Sequence, residues 1–289
     1  MKKAIIIKII SNRYTILTEE NEELIAQGSG KLKFNSLPLV GDHIEYELRE
    51  DVYMMTKVLP RHNEMSRPSI ANVDKALIVM SAVKPDFSTQ LVDRFVWLVR
   101  NANIEPVLIV TKLDLVPDDS PIYNDLIQYE KDGMHVIRVA RGKEIIGLED
   151  AIKDKISVLT GQSGVGKSSL LNRLNPDFVL RTQEISKALG RGKHTTRHVQ
   201  LFPIAGGWVA DTPGFSSLEF ESIELEQLGY LVKEFDPYRE ACQFRDCSHV
   251  NEPKCAVKDA VKANLIHPDR YAHYLEVRQL IIDERKSYK

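Results

Sequence analysis

One segment of the chain combines glycine spacing with a basic residue in the way that binding a phosphate chain requires. Residues 161–168 read GQSGVGKS and match G-x-x-x-x-G-K-[ST] in full. The glycines let backbone N–H groups converge on phosphate oxygens, Lys167 adds a catalytic positive charge near the β- and γ-phosphates, and Ser168 can ligate magnesium. A strand predicted at 156–160 and a helix opening at Ser169 give the expected strand–loop–helix setting. The predicted nucleotide contacts in this segment are Gly161, Gln162, Ser163, Gly164, Val165, Gly166, Lys167, Ser168 and Ser169.

A polar tetrapeptide, Thr111-Lys112-Leu113-Asp114, follows another apolar run at 106–110. The Asp114 carboxylate can accept two N–H bonds from the edge of guanine, a pair that adenine cannot donate, and Lys112 can lay its stem along the base. The same spacing also occurs as a helix-capping pattern, so the interpretation depends on the preceding strand and the phosphate loop. Thr111 stands where most sites of this kind have Asn, which removes an amide able to tie the base-binding loop to the phosphate loop.

A third motif, DTPG at 211–214, directly follows residues 207–210, which are predicted to form a strand. Asp211 would hold magnesium through water, and the Gly214 N–H would contact the γ-phosphate. The next residue is Phe215, where many GTPases have a Gln that orients the attacking water. Because Phe cannot do this, the catalytic polar group must come from elsewhere in the chain.

A basic, glycine-rich segment, GRGKHTTRH at 190–198, lies where the first switch of a GTPase belongs. Thr195 or Thr196 could supply the hydroxyl that meets magnesium, and the sequence leaves open which one does. His194 could orient the attacking water and is the candidate catalytic residue. The alternative is a basic loop that only contacts the phosphates of a partner.

The order of the motifs is informative, because an ordinary small GTPase has its phosphate loop first and its guanine-binding tetrapeptide last. Here the tetrapeptide comes first, which predicts a circularly permuted GTPase. The region alternates strands and helices, so we expect an α/β fold with a mostly parallel, doubly wound sheet and ligands at the strand carboxyl ends. The strand predicted at 135–139 would place a further backbone contact to guanine. The predicted strands are 75–81, 107–111, 135–139, 156–160 and 208–211, and the predicted helices are 91–101 and 148–152.

A separate cluster of metal-ligand residue types lies near the carboxyl end of the chain: Cys242, Cys247, His249 and Cys255. Three thiolates and one imidazole make a closed tetrahedral zinc site, which is the structural type and leaves no position for a reactive water. The spacing differs from the paired C-x-x-C of zinc ribbons, and three buried free cysteines are the alternative. A disulfide is disfavoured because nothing in the sequence suggests secretion.

Composition indicates a globular protein of two or three domains, with 289 residues, 43% hydrophobic and 28% charged. The apolar run after Met1 is broken at Lys8 without a cleavage site, and no stretch approaches membrane-spanning length. We therefore expect a cytoplasmic protein without membrane contact, and a monomer by default. The net charge of −2 means that any RNA contact must use local patches such as 191–197.

The chain is predicted to have three domains with separate cores. Residues 1–64 suggest an OB-like barrel of five strands, with an SH3-like barrel as the alternative. Residues 61–69 read as a polar linker, 70–220 as the GTPase domain, and 221–289 as a helical zinc-binding domain with an amphipathic helix at 271–285. The predicted barrel strands are 4–10, 13–18, 24–28, 43–48 and 54–59.

Taken together, these features resemble the bacterial RsgA family of small-ribosomal-subunit biogenesis GTPases. The resemblance spans essentially the whole chain and rests on the barrel, the motif order, and the segments GRGKHTT at 190–196 and CSHVNEPKCAV at 247–257. It implies a late role in maturing the small ribosomal subunit, with GTP hydrolysis to GDP and phosphate stimulated by that subunit. It also implies one zinc per chain, rRNA contacts from the barrel, catalysis by His194 and a hydrophobic residue at position 215.

Two other classes of function use some of the same residues. A metabolic kinase or ATPase would share the phosphate loop, but the motifs at 111–114 and 211–214 argue against it. A nucleic-acid-binding module with a decayed nucleotide site would not need Lys167, Ser168 and Asp211, which are all intact.

Overall fold

The N-terminal residues of the computed structural model form a closed barrel of five strands in the order β1-β2-β3-β5-β4. The structure describes residues 1–28, 37–66, 68–175, 199–210, 220 and 222–287. Strands β3 and β5 pair in parallel, and every other neighbouring pair in the barrel is antiparallel. This arrangement confirms the OB-like prediction over the SH3-like alternative. The barrel strands are β1 (Lys2–Ile10), β2 (Arg13–Thr18), β3 (Glu23–Gly28), β4 (His43–Arg49) and β5 (Val52–Val58).

The segment predicted as a polar linker is instead structured, and that prediction is wrong. It contributes to a two-stranded antiparallel sheet of β6 (Glu64–Ser66) and β7 (Ser69–Ala71). The Arg61 guanidinium donates to both carboxylate oxygens of Asp42, at 2.7 and 2.8 Å, and Asp42 is fully buried. A pattern of polar residues predicts exposure, whereas here an arginine and an aspartate satisfy each other inside the fold.

The middle of the chain forms a six-stranded sheet in the order β10-β9-β8-β11-β13-β12. Its pairs are parallel except for the edge strand β12, which is antiparallel to β13. The central strands are continuous apolar runs because helices cover both faces of such a sheet. The strands are β8 (Lys75–Ser81), β9 (Glu105–Thr111), β10 (His135–Arg138), β11 (Ile156–Thr160), β12 (Leu201–Ile204) and β13 (Gly207–Ala210).

Helices pack on the sheet and continue to the carboxyl end of the chain. They are α1 (Thr89–Asn101), α2 (Ile122–Lys131), α3 (Leu148–Ile152), α4 (Lys167–Leu174), α5 (Leu228–Leu231), α6 (Asp236–Arg239), α7 (Ala256–Lys262) and α8 (Pro268–Ser287). Short 3₁₀ turns span Leu113–Leu115 and Lys233–Phe235. Among the helices that the structure describes, none is both long and apolar enough to cross a membrane.

The C-terminal helices share one apolar core with the sheet. Phe95 and Trp97 of α1 belong to the same contiguous set of buried residues as Phe235, Tyr274 and Val277. The expectation of a separate core for each domain is therefore wrong for this part of the chain. The barrel keeps a small core of its own around Ile6, Ile16, Ile44, Tyr46 and Met55.

Candidate nucleotide site and metal cluster

The carboxyl ends of four parallel strands, β8 to β11, lie side by side at one edge of the sheet. The phosphate loop leaves β11 after Thr160, and the predicted guanine-binding tetrapeptide begins at Thr111, the last residue of β9. The sheet thus brings together two motifs that are about fifty residues apart in sequence. This edge is where ligands bind in open α/β sheets.

The phosphate loop needs glycine for two distinct physical reasons. Gly161 has φ +133°, and a Cβ there would lie 2.0 Å from the Val79 carbonyl oxygen of β8. Gly164 and Gly166 adopt φ of +81° and +96°, which is the left-handed region. The first glycine therefore lets the loop cross β8 closely, and the other two turn it into helix α4.

Lys167, the first residue of α4, folds over the loop. Its Nζ donates to the carbonyl oxygens of Gly161 and Gln162, both at 2.7 Å. Val165 is fully buried and anchors the loop in the core, while Gln162, Ser163, Ser168 and Ser169 are exposed. The loop therefore presents polar groups outward at the amino end of α4, where an anion is stabilised.

Thr111 replaces the expected asparagine tie with one of its own. Its Oγ1 donates to the Val165 carbonyl oxygen at 2.6 Å, and the residue is only 5% exposed. The hydroxyl thus joins the predicted guanine-binding tetrapeptide directly to the phosphate loop. The amide expected at this position is absent, but the threonine hydroxyl makes a tie between the two loops in its place.

Lys112 adds a second tie, in a left-handed backbone conformation with φ +60°. Its Nζ donates to the carbonyl oxygens of Gly164 at 2.8 Å and Val83 at 3.1 Å, and also to that of Lys84. The hydrogen bonds of the Lys112 ammonium therefore connect three segments: the tetrapeptide, the phosphate loop and the turn after β8. Sequence reasoning assigned Lys112 only to the base, because the turn at 83–84 carries no recognisable motif.

Asp114 lies exposed next to the loop after β10. Its Oδ1 accepts from the Arg141 backbone N–H at 2.8 Å, and the Leu113 N–H donates to the Val139 carbonyl oxygen at 3.3 Å. The segment predicted to supply a backbone guanine contact is thus hydrogen-bonded to the predicted guanine reader.

Arg173 of helix α4 supports that same loop, a role that the sequence did not reveal. Its guanidinium donates to the Ala140 carbonyl oxygen at 3.2 Å and also to that of Lys143. The helix that begins at the phosphate loop therefore also supports the loop beside Asp114.

Several predicted site residues lie outside the described part of the chain. They are His194, Thr195, Thr196, Asp211 and Gly214, together with Phe215. The last described residue before the DTPG motif is Ala210 of β13, which pairs with Val158 of β11, two residues before the end of the strand that leads into the phosphate loop.

The cysteine and histidine residues predicted to bind metal converge in space. One ligand atom from each of Cys242, Cys247, His249 and Cys255 lies within 4.8 Å of all the others. The Cys242 and Cys255 sulfurs are 3.9 Å apart, and His249 Nδ1 lies 3.7 and 3.4 Å from them. Zinc–ligand bonds of about 2.3 Å to sulfur and about 2.0 Å to nitrogen give tetrahedral edges of ~3.5–3.8 Å. The donor set therefore fits a tetrahedral zinc ion.

Burial shifts the pKa values of ionisable groups in and around the cluster. Burial lowers the pKa of His249, which keeps its imidazole neutral as a ligand must be. Burial raises the pKa of the Cys247 thiol, and the neighbouring thiols add to this rise, so a bound cation would have to displace its proton. Burial acts to raise the pKa of the nearby Glu252 carboxyl. Hydrogen bonds from Ser248 and from backbone N–H groups outweigh burial and lower this pKa to about 2.

Hydrogen bonds hold the ligand loop in place from outside. The Glu252 carboxylate accepts from the backbone N–H groups of Ser248 and Val250, each at 2.9 Å. The hydroxyls of Tyr271 and Tyr274 on α8 donate to the carbonyl oxygens of His249 and Ser248, both at 2.6 Å. Outer contacts of this kind orient metal ligands.

Comparison with known proteins shows the same organisation. A family model described as RsgA GTPase matches residues 58–221. The Small ribosomal subunit biogenesis GTPase RsgA of Bacillus subtilis is 46% identical, with both chains covered in full. The protein of the same name from Geobacillus thermodenitrificans is also 46% identical, over 95% of this chain and 96% of the relative.

Two solved structures are similar over nearly the whole chain. The crystal structure of YloQ, a circularly permuted GTPase, has a TM-score of 0.84 and 39% identity, over 98% of this chain and 96% of that one. The structure of YjeQ from Thermotoga maritima has a TM-score of 0.84 and 33% identity, over 97% and 98%. These similarities confirm the permuted order predicted from the motifs. The chain therefore belongs to the RsgA GTPase family and is a circularly permuted P-loop enzyme that hydrolyses GTP.

Proposed function

We propose that this GTPase binds the small ribosomal subunit and hydrolyses GTP as a step in its late maturation, with turnover that the subunit stimulates. The observation that carries the nucleotide part is the junction of the two loops, where Thr111 and Lys112 contact the backbone of the phosphate loop. The subunit is proposed from the printed names of the curated relatives, small ribosomal subunit biogenesis GTPases. We expect a cytoplasmic monomer whose partners are guanine nucleotides and rRNA.

Guanine recognition is proposed to centre on Asp114. Its carboxylate is exposed at the sheet edge and can accept the paired N–H donors of guanine. The Arg141 N–H, which donates to this carboxylate, and the neighbouring backbone after β10 would border the same base. Adenine presents no matching pair of donors, so the proposal predicts selection of GTP over ATP.

Phosphate binding is proposed to use the loop that ends at α4. The Lys167 ammonium, which contacts two loop carbonyls in this structure, would turn to the β- and γ-phosphates. The exposed Ser168 hydroxyl, Asp211, and either Thr195 or Thr196 have the oxygen ligands that magnesium prefers, so this donor set fits the ion. Bound magnesium would neutralise charge on the phosphate oxygens.

Hydrolysis is proposed to depend on His194, because Phe215 cannot orient water. A water oxygen attacks the γ-phosphorus, the bond to the β–γ bridging oxygen breaks, and GDP and phosphate leave. The segment 190–198 carries several basic residues, which suits contact with rRNA phosphates. We propose that this contact brings His194 to the water, so that turnover is slow without the subunit.

The cluster of three cysteines and His249 is proposed to hold one structural zinc ion per chain. The distances among Cys242 Sγ, His249 Nδ1 and Cys255 Sγ are 3.4–3.9 Å, and the Cys247 sulfur lies within 4.8 Å of each of them, which supports this assignment. Four protein ligands leave no coordination site for a reactive water, so the cluster is assigned no role in catalysis.

Sedimentation with purified ribosomal subunits tests the proposed partner. In the presence of a nonhydrolysable GTP analogue, the protein should pellet with small subunits, and added salt should weaken this binding. Large subunits at the same concentration are the matched control. Equal pelleting with both subunits, or with neither, would contradict the proposal.

A further inference from the structure

We propose that the contact between helices α1 and α8 positions the guanine-binding loop, so that Glu276 and Asp93 tune recognition of the base although neither lies at the nucleotide site. This inference rests on the proposed guanine site at Asp114. It follows from an unbroken series of contacts through the turn 82–88, which joins β8 to α1.

The turn 82–88 is held at its start and borders both nucleotide loops. The buried Ser81 hydroxyl donates to the Pro85 carbonyl oxygen at 2.7 Å, and the Ala82 N–H donates to the Thr111 carbonyl oxygen at 2.9 Å. Two carbonyls of this turn, Val83 and Lys84, accept from the Lys112 ammonium. The position of the turn therefore sets where Lys112 holds the base-binding loop.

Helix α1 begins where the turn ends. The Ser88 hydroxyl accepts from the Leu91 N–H at 3.3 Å and caps the helix. This hydrogen bond joins the end of the turn to the first turn of α1, which starts at Thr89. A shift of the first turns of α1 would therefore move the carbonyls that anchor Lys112.

Helix α8 forms hydrogen bonds and ion pairs with those same first turns of α1. Glu276 accepts from Gln90 and, at 2.6 Å, from Arg94. Asp93 is 1% exposed, lies 2.6 Å from His273, pairs with Arg270, and accepts from the Tyr129 hydroxyl at 2.7 Å. These contacts join charged groups of α8 to Gln90, Asp93 and Arg94 in the first two turns of α1. The Asp93 contacts are buried, whereas the Glu276 side chain is 42% exposed.

The other side of α8 is fixed by the metal-ligand loop. Tyr271 and Tyr274 donate to backbone carbonyls of that loop, as described above, and Tyr274 is 1% exposed. Helix α8 is thus held between the cysteine cluster and α1. Removing contacts between α8 and α1 should let the turn 82–88 shift and should weaken its hydrogen bonds with Lys112. The phosphate-loop glycines and Asp114 are unchanged by such a substitution.

The test compares affinities of the full-length protein for GDP and for inosine diphosphate, which lacks the 2-amino group that Asp114 would bind. Wild-type protein should prefer GDP by about 10–100-fold, the scale of one hydrogen bond to a charged group. Glu276→Ala should reduce that preference by about 2–10-fold, the range for residues that act on a site through packed elements. Because Glu276 is partly exposed, the variant should fold, and Asp93→Asn is a second variant expected to act in the same direction.

Glu224→Ala is the matched control, since Glu224 pairs with Arg285 of α8 and not with α1. A lower fraction of folded protein changes the amount bound but not the ratio of two affinities, which separates positioning from simple destabilisation. Hydrogen exchange of the nucleotide-free protein gives a second readout. The amides of Ala82 and Leu113 should exchange faster in Glu276→Ala than in Glu224→Ala.

Asp114→Asn separates failure of this inference from failure of the guanine site. If Asp114→Asn loses the preference for GDP while Glu276→Ala and Asp93→Asn retain it, the contact between α1 and α8 does not position the base loop. If Asp114→Asn itself retains the preference, the proposed guanine site is wrong and this inference falls with it.

Discussion

The Thr111 hydroxyl makes the buried connection between the predicted guanine-binding tetrapeptide and the phosphate loop, beside the exposed connection that Lys112 makes. Thr111 Oγ1 reaches the Val165 carbonyl oxygen from the end of a buried strand, and the contact is shielded from water. The residue types of this candidate site can be predicted from sequence because phosphate and guanine each demand particular donors and acceptors. The tie itself cannot, because it depends on how closely β9 and β11 approach, with β8 between them, and on which backbone atom meets the hydroxyl.

At the residue scale, Thr111→Val should weaken GDP binding by about 5-fold, which corresponds to ~1 kcal/mol for one hydrogen bond. Valine keeps the shape of the side chain but cannot donate, so the two loops lose their buried connection. Thr111→Ser keeps the hydroxyl and should stay within about two-fold of wild type in affinity, because the lost methyl group is buried with or without nucleotide and its loss of about 0.8 kcal/mol falls on folding stability. Titration with a fluorescent GDP analogue measures both. Equal affinities of the valine and serine variants would show that the hydroxyl does not hold the site.

Some elements of the sheet and its helices could be predicted from the sequence, and others could not. The strands β8, β9 and β11 were predictable because parallel strands buried on both faces are continuous apolar runs. The edge strand β12 was missed because it has only four residues and contains Pro203, and proline is tolerated at sheet edges but argues against a strand in sequence. Helix α2 was missed because its exposed face makes the segment read as polar.

At the scale of elements, the crossing of the phosphate loop over β8 predicts a sharp difference between two glycines. Gly161→Ala puts a methyl group 2.0 Å from the Val79 carbonyl oxygen and should destabilise the protein by about 3 kcal/mol or more. Gly142→Ala also has positive φ, +74°, but meets nothing within 4 Å, so it should cost only ~1–2 kcal/mol. Urea unfolding measures the loss of stability in each variant, and GDP titration measures whether each still binds nucleotide. Similar losses in the two variants would contradict the close approach of loop and strand.

Across the whole molecule, the C-terminal helices and the sheet form one contiguous core. The sequence pattern marked the helices and the cysteine cluster, but it could not reveal that α8 packs on α1, because that contact joins residues far apart in sequence. The ion pairs of Asp93 and Glu276 could not be predicted from the sequence either, since a charged residue in a helix pattern predicts an exposed face. The barrel, in contrast, was predictable from alternating strands and turn residues.

The shared core predicts that loss of the metal cluster affects the entire GTPase. Purified wild-type protein should contain about one zinc per chain. Cys247→Ser should lose most of this zinc, lower the melting temperature of the sheet as well as the C-terminal helices, and weaken GDP binding. Separate cores would instead leave nucleotide binding intact. Elemental analysis, calorimetry and GDP titration make the comparison. Wild-type protein free of zinc, or a variant with unchanged GDP affinity, would refute this prediction.

GTP turnover with and without purified small ribosomal subunits tests the central claim most directly. Turnover alone should be slow because Phe215 cannot orient water, and small subunits should raise it, whereas large subunits should not. His194→Ala should still bind GTP and the subunit but lose the stimulated rate by roughly 10–1000-fold, the range for a residue that orients or deprotonates water. Turnover that small subunits leave unchanged would contradict the account.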